Sequence, residues 1–275
     1  MRKQLIFVDI DGTLTLPGEF TPPESALEAI RRARAAGHGV FLCTGRNRSM
    51  LSPLLRYGFD GYVGCAGGLV ALGNELIFDC PMTSEQLRTA MSLLSGEGVF
   101  LTLEGRDAMY GDEGIADFFA SSRCGYNSEL ARWRRTLESN YNIRPMSEYD
   151  GEPVYKLVFL CETEAQLAPA RAALSGAFHF VVQEAFTTSC LNGELINLAF
   201  DKGRGMLRIA QKLGVGAEDT IGIGDSLNDL ELLETAGTSV CMANGSEALK
   251  ERADLVCPAV EEDGLAWAFS RLGLC

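Results

Sequence analysis

The stretch LIFVDIDGT at residues 5–13 places two aspartates, Asp9 and Asp11, directly after an apolar run. A short continuous apolar run is typical of a strand that is buried on both faces of a parallel sheet. In open parallel sheets, ligands bind beyond the carboxyl ends of the strands. We therefore predict a buried strand at Leu5–Val8 and candidate functional residues immediately after it.

The segments on either side of the middle of the chain predict one sheet. The sequence TPPE at residues 21–24 is typical of a helix start, with Thr21 as the cap and Pro22 in the first helical position. A second apolar run at 40–43 completes a β-α-β unit, which implies a right-handed parallel crossover. The same alternation returns later, as helices at 203–213 and 228–235 and strands at 220–224, 239–242 and 255–257. We predict an α/β fold with a doubly wound, Rossmann-like parallel sheet.

The middle of the chain follows a different pattern. Apolar runs at 99–103, 156–160 and 178–182 alternate with helical stretches of mixed polarity. We expect residues 82–198 to form an inserted, smaller α/β cap, and residues 1–81 and 199–275 to form the core domain. A helical stretch at 128–139 carries three arginines, which we interpret as a solvated face.

Composition and charge exclude several classes of function. The net charge of -13 repels nucleic acid and anionic membranes. The apolar runs are far shorter than the roughly 18 residues of a membrane span, and Asp9 and Asp11 interrupt the first one before it could serve as a secretory signal. We expect a cytoplasmic protein whose partner is a small molecule, and the sequence predicts no oligomeric state.

Cysteine and histidine usage narrows the chemistry. The nine cysteines are odd in number and scattered through apolar segments, which favours reduced thiols over a disulfide framework. The only histidines are His38 and His179, so a zinc site or a histidine-based catalytic triad is not expected.

Carboxylates follow two of the predicted strands. Asp9 and Asp11 are two residues apart, so on an extended backbone both would face one side, where like charges raise the pKa of at least one of them. This proximity suggests either a hard cation or an acid/base pair. Asp225 follows the strand at 220–224, and an all-oxygen set without histidine indicates Mg²⁺.

Other polar groups at the same edge are suited to an anion. Thr44 offers a hydroxyl, and Gly45 allows the backbone to approach a ligand closely. Lys202 adds a full positive charge to the partial charge of a predicted helix N-terminus. Phosphate is the ligand that these groups favour. Asn228 and Asp229 either cap the helix that follows them or take part in the site.

Four ordered motifs resemble those of the haloacid dehalogenase superfamily: Asp9-Ile10-Asp11-Gly12-Thr13, Thr44-Gly45-Arg46, Lys202-Gly203 and Gly224-Asp225-Ser226-Leu227-Asn228-Asp229. The second carboxylate of the first motif excludes the dehalogenases proper. The large insertion and the segment at 242–250 resemble the Cof-type sugar phosphatases within the superfamily. The resemblance covers the whole core and implies a Mg²⁺-dependent hydrolase of small phosphate monoesters.

The resemblance also implies a role for each motif residue. Asp9 would be the nucleophile and a magnesium ligand, and Asp11 would transfer protons and offer its backbone carbonyl to the metal. Metal ligation would also involve Asp225 and Asp229. The phosphate-binding residues implied are Thr44, Gly45, Lys202 and Asn228.

Two departures and two alternatives accompany this interpretation. Residues 65–68 stand where relatives often carry an Asn-Gly pair, and Asp201 could pair with Lys202 and weaken its hold on phosphate. Arg46 receives no role. A phosphomutase shares the motifs and the cap, and a response-regulator receiver also combines acceptor Asp, Thr and Lys but is far shorter. The sequence does not indicate which phosphate ester is the substrate.

Overall fold

The two apolar runs near the start of the chain pair side by side. In a computed structural model that describes residues 3–95, 98–115, 143–184 and 191–275, strand β1 (Leu5–Val8) is parallel to β2 (Gly39–Cys43). All residues of both strands are buried, and the rings of Phe7 and Phe41 stack with centroids 4.9 Å apart. The predicted helical stretch at 128–139 lies outside the described residues.

Eight strands form the first sheet, in the order β14-β13-β12-β1-β2-β3-β4-β5. The strands not yet given are β3 (Gly61–Gly64), β4 (Leu69–Leu72), β5 (Glu75–Asp79), β12 (Thr220–Gly224), β13 (Thr238–Met242) and β14 (Leu255–Cys257). From β14 to β3 every neighbouring pair is parallel, which confirms the α/β fold with a parallel sheet. Two antiparallel strands, β4 and β5, extend one edge in addition to the prediction.

Helices flank these strands in the sequence and follow the predicted alternation. Among the described residues the helices are α1 (Glu24–Ala35), α2 (Arg48–Leu55), α3 (Ser84–Leu94), α4 (Ala168–Leu174), α5 (Lys202–Leu213), α6 (Leu230–Thr235), α7 (Glu247–Lys250) and α8 (Gly264–Arg271). The predicted cap of α1 is wrong, because the helix begins at Glu24 and no side chain caps it. A proline disfavours helical backbone at the residue before it, so the consecutive Pro22 and Pro23 postpone the helix start.

In the part of the chain that the structure describes, a second sheet has six strands in the order β10-β11-β9-β6-β7-β8. Its strands are β6 (Phe100–Gly105), β7 (Met109–Gly111), β8 (Ile143–Pro145), β9 (Val154–Cys161), β10 (Phe178–Glu184) and β11 (Leu191–Asn197). One face carries Leu103, Leu157 and Leu195 into an apolar core shared with α3 and α4. The alternate positions form a buried ion cluster, in which Lys156 contacts Glu104 and Glu194.

The chain divides into two units. The first comprises Met1–Arg46, Met50–Asp79 and Phe200–Cys275, and the second comprises Asn47–Ser49 and Cys80–Ala199. Within the described residues no helix is long and apolar enough to cross a membrane. The cysteines among the described residues are free thiols.

Candidate active site

The first motif forms a tight turn at the carboxyl end of β1. The Asp9 amide still donates to Ile223 O at 2.9 Å, but the chain then folds back, with the Gly12 amide donating to Thr15 O at 2.8 Å. Gly12 has a φ of +89°, a backbone conformation that favours glycine. A Cβ at this position would also lie only 2.4 Å from Asp225 Oδ2. The carboxylates of Asp9 and Asp11 contact different partners, Lys202 and Arg46 respectively.

Lys202 lies at the centre of a buried cluster. Its ammonium group donates to Asp9 Oδ1 at 2.8 Å, to Asp229 Oδ1 at 2.5 Å and to Asn228 Oδ1 at 3.0 Å. Lys202 is the first residue of α5, as predicted, and is 1% exposed. The structure thus brings together residues from the first, third and fourth motifs.

Asp229 shapes the loop that follows β12. Its Oδ2 atom accepts hydrogen bonds from the amides of Asp225 and Ser226, both at 3.1 Å. A Cβ on Gly224 would lie 2.4 Å from Asp229 Cγ, so only glycine leaves room for this carboxylate. The hydroxyl of Thr13 donates to Asp225 Oδ1 at 3.2 Å. Asp225 is therefore oriented from the first motif as well as from its own loop.

Burial and like charges dominate the electrostatics of the cluster. Burial, followed by the charge of Asp229, raises the pKa of Asp9 to about 7, against the opposing effect of Lys202. Burial and the charge of Asp9 raise the pKa of Asp225 well above its usual value. Burial lowers the pKa of Lys202, but the charges of Asp229 and Asp9 outweigh it and hold the ammonium charged. The carboxylates of the cluster outnumber its one ammonium group. Burial makes this excess of negative charge unfavourable unless a further cation binds.

The donor set suits a hard divalent cation. One carboxylate oxygen from each of Asp9, Asp225 and Asp229 lies within 4.8 Å of the others. In the described chain, both oxygens of Asp229 already accept hydrogen bonds, whereas Asp9 Oδ2 and Asp225 Oδ2 accept none. Three carboxylates and one ammonium leave a formal charge that a divalent ion would balance. The geometry favours Asp9 and Asp225 as direct ligands and Asp229 as the residue that orients Lys202 and the loop.

Asp11 is held apart from this cluster by Arg46. The guanidinium donates from Nε to Asp11 Oδ2 at 2.8 Å and from Nη2 to Asp11 Oδ1 at 2.7 Å. Arg46 is the functional candidate that the sequence left without a role. Arg46 ends the motif that follows β2. This position could have identified it, because the other motifs at this edge of the sheet contribute residues to the carboxylate cluster.

The remaining predicted residues have separate contacts. The Thr44 hydroxyl accepts from the Arg46 amide at 3.2 Å and makes no hydrogen bond to the carboxylate cluster within the described ranges. Thr44 and Gly45 are both buried at the carboxyl end of β2. Asp201 does not pair with Lys202. It caps α5 by accepting from the Arg204 amide at 2.7 Å and pairs with the Arg204 side chain at 3.1 Å.

Asn244 supports the turn of the first motif. Its Nδ2 atom donates to Gly12 O at 2.8 Å, and its Oδ1 accepts from the Val260 amide at 3.2 Å. The sequence marked this asparagine only as part of a resemblance, without a structural role. It fixes the backbone immediately after Asp11, at Gly12.

Known proteins resemble this chain over its whole length. YkrA of Bacillus subtilis (strain 168) is 28% identical over 284 residues, which cover 100% of this chain and 99% of the relative. The 5-amino-6-(5-phospho-D-ribitylamino)uracil phosphatase YwtE of the same organism is 27% identical over 281 residues, covering 97% of each chain. The solved structure of the HAD subclass IIB sugar phosphatase BT4131 superposes with a TM-score of 0.80 at 23% identity, covering 99% of this chain and 100% of that one.

A family model also matches most of the chain. The model described as haloacid dehalogenase-like hydrolase matches residues 6–269, a span that includes all four motifs. The matched span begins one residue into β1 and ends within α8. The chain therefore belongs to the haloacid dehalogenase-like hydrolases, as its four motifs predicted.

Proposed function

We propose that this chain is a Mg²⁺-dependent phosphatase that hydrolyses small phosphate monoesters through a phosphorylated Asp9. The observation that carries the proposal is the buried contact between Asp9 and Lys202 beside Asp225, at the carboxyl edge of the parallel sheet. A carboxylate nucleophile, a fixed cation and a second carboxylate are the groups that phosphoryl transfer to an aspartate needs. The name of the relative YwtE, a phosphatase, supports the same reaction class.

The proposed reaction has two steps. In the first, an oxygen of Asp9 attacks phosphorus, the bond from phosphorus to the ester oxygen breaks, and Asp11 gives a proton to the leaving oxygen. In the second, Asp11 takes a proton from water, which attacks the phosphoryl group and releases phosphate and the Asp9 carboxylate. Thr44, Gly45, Lys202 and Asn228 would hold the phosphoryl oxygens during both steps.

Asp9 and Asp225 would hold the magnesium ion, with the Asp11 carbonyl as a further ligand and Asp229 orienting its neighbours. A bound Mg²⁺ would neutralise phosphoryl oxygens as negative charge develops on them. Lys202 already neutralises part of the carboxylate charge, so the site is prepared for one divalent ion and one dianionic ester.

We further propose that residues 82–198 select the leaving group, since every motif assigned to the chemistry lies outside that segment. The choice among hexose phosphates, a flavin-pathway intermediate and pyridoxal phosphate would then depend on the second unit. A cytoplasmic location remains a prediction.

A panel of phosphate esters tests the proposed function. Purified protein with Mg²⁺ should release inorganic phosphate from at least one sugar phosphate or related metabolite and from p-nitrophenyl phosphate. Product analysis separates hydrolysis from mutase chemistry, because a mutase returns the phosphoryl group to the substrate. If no ester on the panel yields free phosphate, the proposal is wrong.

Replacement of Lys202 by methionine tests the cation of the site. Methionine matches the length of the side chain but lacks the charge that Asp9 and Asp229 contact. We expect kcat/KM to fall by about 10²- to 10³-fold, as for the loss of a preorganised donor. In chelator, uncompensated buried carboxylates should also lower the free energy of unfolding by about 3–5 kcal/mol.

Lys212→Met is the matched control, because Lys212 pairs with Glu75 at 2.8 Å on the surface of the same helix, α5. An exposed pair of this kind contributes less than about 1 kcal/mol. Steady-state kinetics and urea unfolding measure both variants. Equal behaviour of the two variants would remove Lys202 from the site.

A further inference from the structure

The Arg46 guanidinium is completely buried beside Asp11. Arg46 has no exposed surface, and the side chain of Asp11 is 10% exposed. Besides Asp11, the guanidinium donates from Nη2 to Glu19 O at 3.0 Å and lies over the ring of Phe20, with 4.6 Å from Cζ to the centroid. A guanidinium is expensive to bury, so its place next to a site carboxylate calls for an explanation.

Donors from two segments fix the orientation of the Asp11 carboxylate. Arg46 contributes two parallel hydrogen bonds, and the amide of Gly18 donates a third to Oδ1 at 2.7 Å. A bidentate arginine–carboxylate pair sets the plane as well as the distance of the carboxylate, which a lysine could not do. Rotation of Asp11 about its side-chain bonds would break at least one of these bonds.

Packing alone does not account for this arrangement. The Nη1 atom of Arg46 is buried and has no hydrogen-bond partner within the part of the chain that the structure describes. An unsatisfied buried donor costs about 1–3 kcal/mol, so an apolar side chain would serve a packing role better. The arginine is retained at a cost in stability, and its two strong bonds are both directed at Asp11.

We propose that Arg46 is a positioning residue that places the Asp11 carboxylate for both proton transfers of the reaction. This inference rests on the proposed function, in which Asp11 protonates the leaving oxygen and later accepts a proton from water. Arg46 itself touches neither the substrate nor the reacting atoms in this role. The loss of activity when Arg46 is replaced should therefore depend on how much each step needs a proton.

Leaving-group dependence separates positioning from a structural role. The variant Arg46→Gln should be compared with the unchanged chain on p-nitrophenyl phosphate, whose leaving group departs without a proton, and on a hexose phosphate, whose alkoxide needs one. We expect kcat/KM for the hexose phosphate to fall by about 10²- to 10³-fold, the usual contribution of general acid catalysis. For the aryl ester, kcat/KM should fall by less than about tenfold, since kcat/KM reports only the first step.

The second proton transfer gives an independent readout. With the aryl ester, slow hydrolysis of the phosphorylated enzyme should lower kcat and KM together and produce a burst of about one p-nitrophenol per chain. The double variant Arg46→Gln/Asp11→Asn should lose little activity beyond Asp11→Asn alone, because both changes affect one function.

Three results would overturn the proposal: an equal fall in kcat/KM for both esters, the absence of a burst, or additive losses in the double variant. If Arg46→Gln does not fold, Arg46→Lys keeps the charge without the bidentate geometry and should show the same difference between esters. Failure of the unchanged chain to hydrolyse either ester would instead contradict the proposed function itself, so the two failures are distinguishable.

Discussion

Asp9→Asn should reduce phosphate release to the background of the solution reaction, a loss of at least about 10⁴-fold. The amide cannot attack phosphorus, and Asp229 cannot replace it, because both of its carboxylate oxygens are held by Lys202 and by two backbone amides. Acid-quenched reactions should yield phosphorylated protein from the unchanged chain and none from the variant. Phosphatase activity above a trace in pure Asp9→Asn protein would eliminate the covalent route through this residue.

The same substitution should leave the fold intact. Burial and the charge of Asp229 raise the pKa of Asp9 to about 7, so the ionised carboxylate is disfavoured in the folded state. A neutral amide removes that repulsion while its oxygen can still accept from Lys202. Thermal unfolding in chelator and at a pH above this pKa should therefore show an unchanged or higher Tm.

Asp201→Asn is the matched control for Asp9→Asn. It makes the same change of charge one residue before Lys202, and asparagine caps a helix as well as aspartate does. We expect its activity to stay within a few fold of the unchanged chain. A comparable collapse of Asp201→Asn would mean that loss of any nearby negative charge, and not loss of the nucleophile, explains the result.

The strands that carry the motifs could be predicted because their signals are local. The apolar runs at 5–8 and 40–43 lie in β1 and β2, and the strands predicted at 220–224 and 255–257 have the bounds of β12 and β14. A strand buried on both faces needs consecutive apolar residues, and this requirement is visible without any tertiary information. The rule that ligands bind at the carboxyl ends of such strands then directed attention to the edge where the carboxylate cluster lies.

The antiparallel edge strands β4 and β5 were not predicted, although β4 is itself a short and mostly buried apolar run. Every residue of β5 is exposed or half-buried, so this strand lacks the continuous burial of β1 and β2. The turn that joins β3 to β4 uses positive φ at Cys65 and Ala66, residues that do not usually indicate a left-handed turn. Tertiary packing decides that these strands pair antiparallel at this edge of the sheet, and this pairing has no local signal in the sequence.

The partners of the site side chains were the least predictable part. Lys202 and Asp9 are separated by 193 residues in the chain, and only the folded sheet shows that they are in contact. Asp11 lies two residues from Asp9, yet it bonds to Arg46, whereas Asp9 bonds to Lys202. The motifs included the residues that contact one another around Lys202, while the partner of each side chain depended on the fold.

Removal of divalent metal should silence the enzyme, and Mg²⁺ should restore it. The Oδ2 atoms of Asp9 and Asp225 are the carboxylate oxygens of the cluster without a donor in the described chain, and this pair suits an ion that keeps several waters. Ca²⁺ should restore activity poorly, because its larger and looser coordination does not impose octahedral geometry. Full activity in excess chelator would remove magnesium from the proposed mechanism.

Metal binding can also be measured without turnover. Titration calorimetry should detect one Mg²⁺ per chain, and Mg²⁺ should raise the Tm of the unchanged chain, since it binds the folded state. Asp225→Asn should abolish this binding. Asp229→Asn should weaken it by about 10- to 100-fold, as expected for a residue that orients the ligands. Asp201→Asn, which leaves the cluster intact, should bind Mg²⁺ like the unchanged chain.

The order of Mg²⁺ affinities among these variants tests which carboxylates bind the ion. The loss of activity in chelator does not test this. If Asp229 were a direct ligand, Asp229→Asn and Asp225→Asn would lose affinity equally. Asp229 instead directs one oxygen at Lys202 and the other at the loop amides, so its loss should also destabilise the metal-free protein. Unchanged Mg²⁺ affinity in Asp225→Asn would place the ion elsewhere. In that case the excess of buried negative charge around Lys202 would need another explanation.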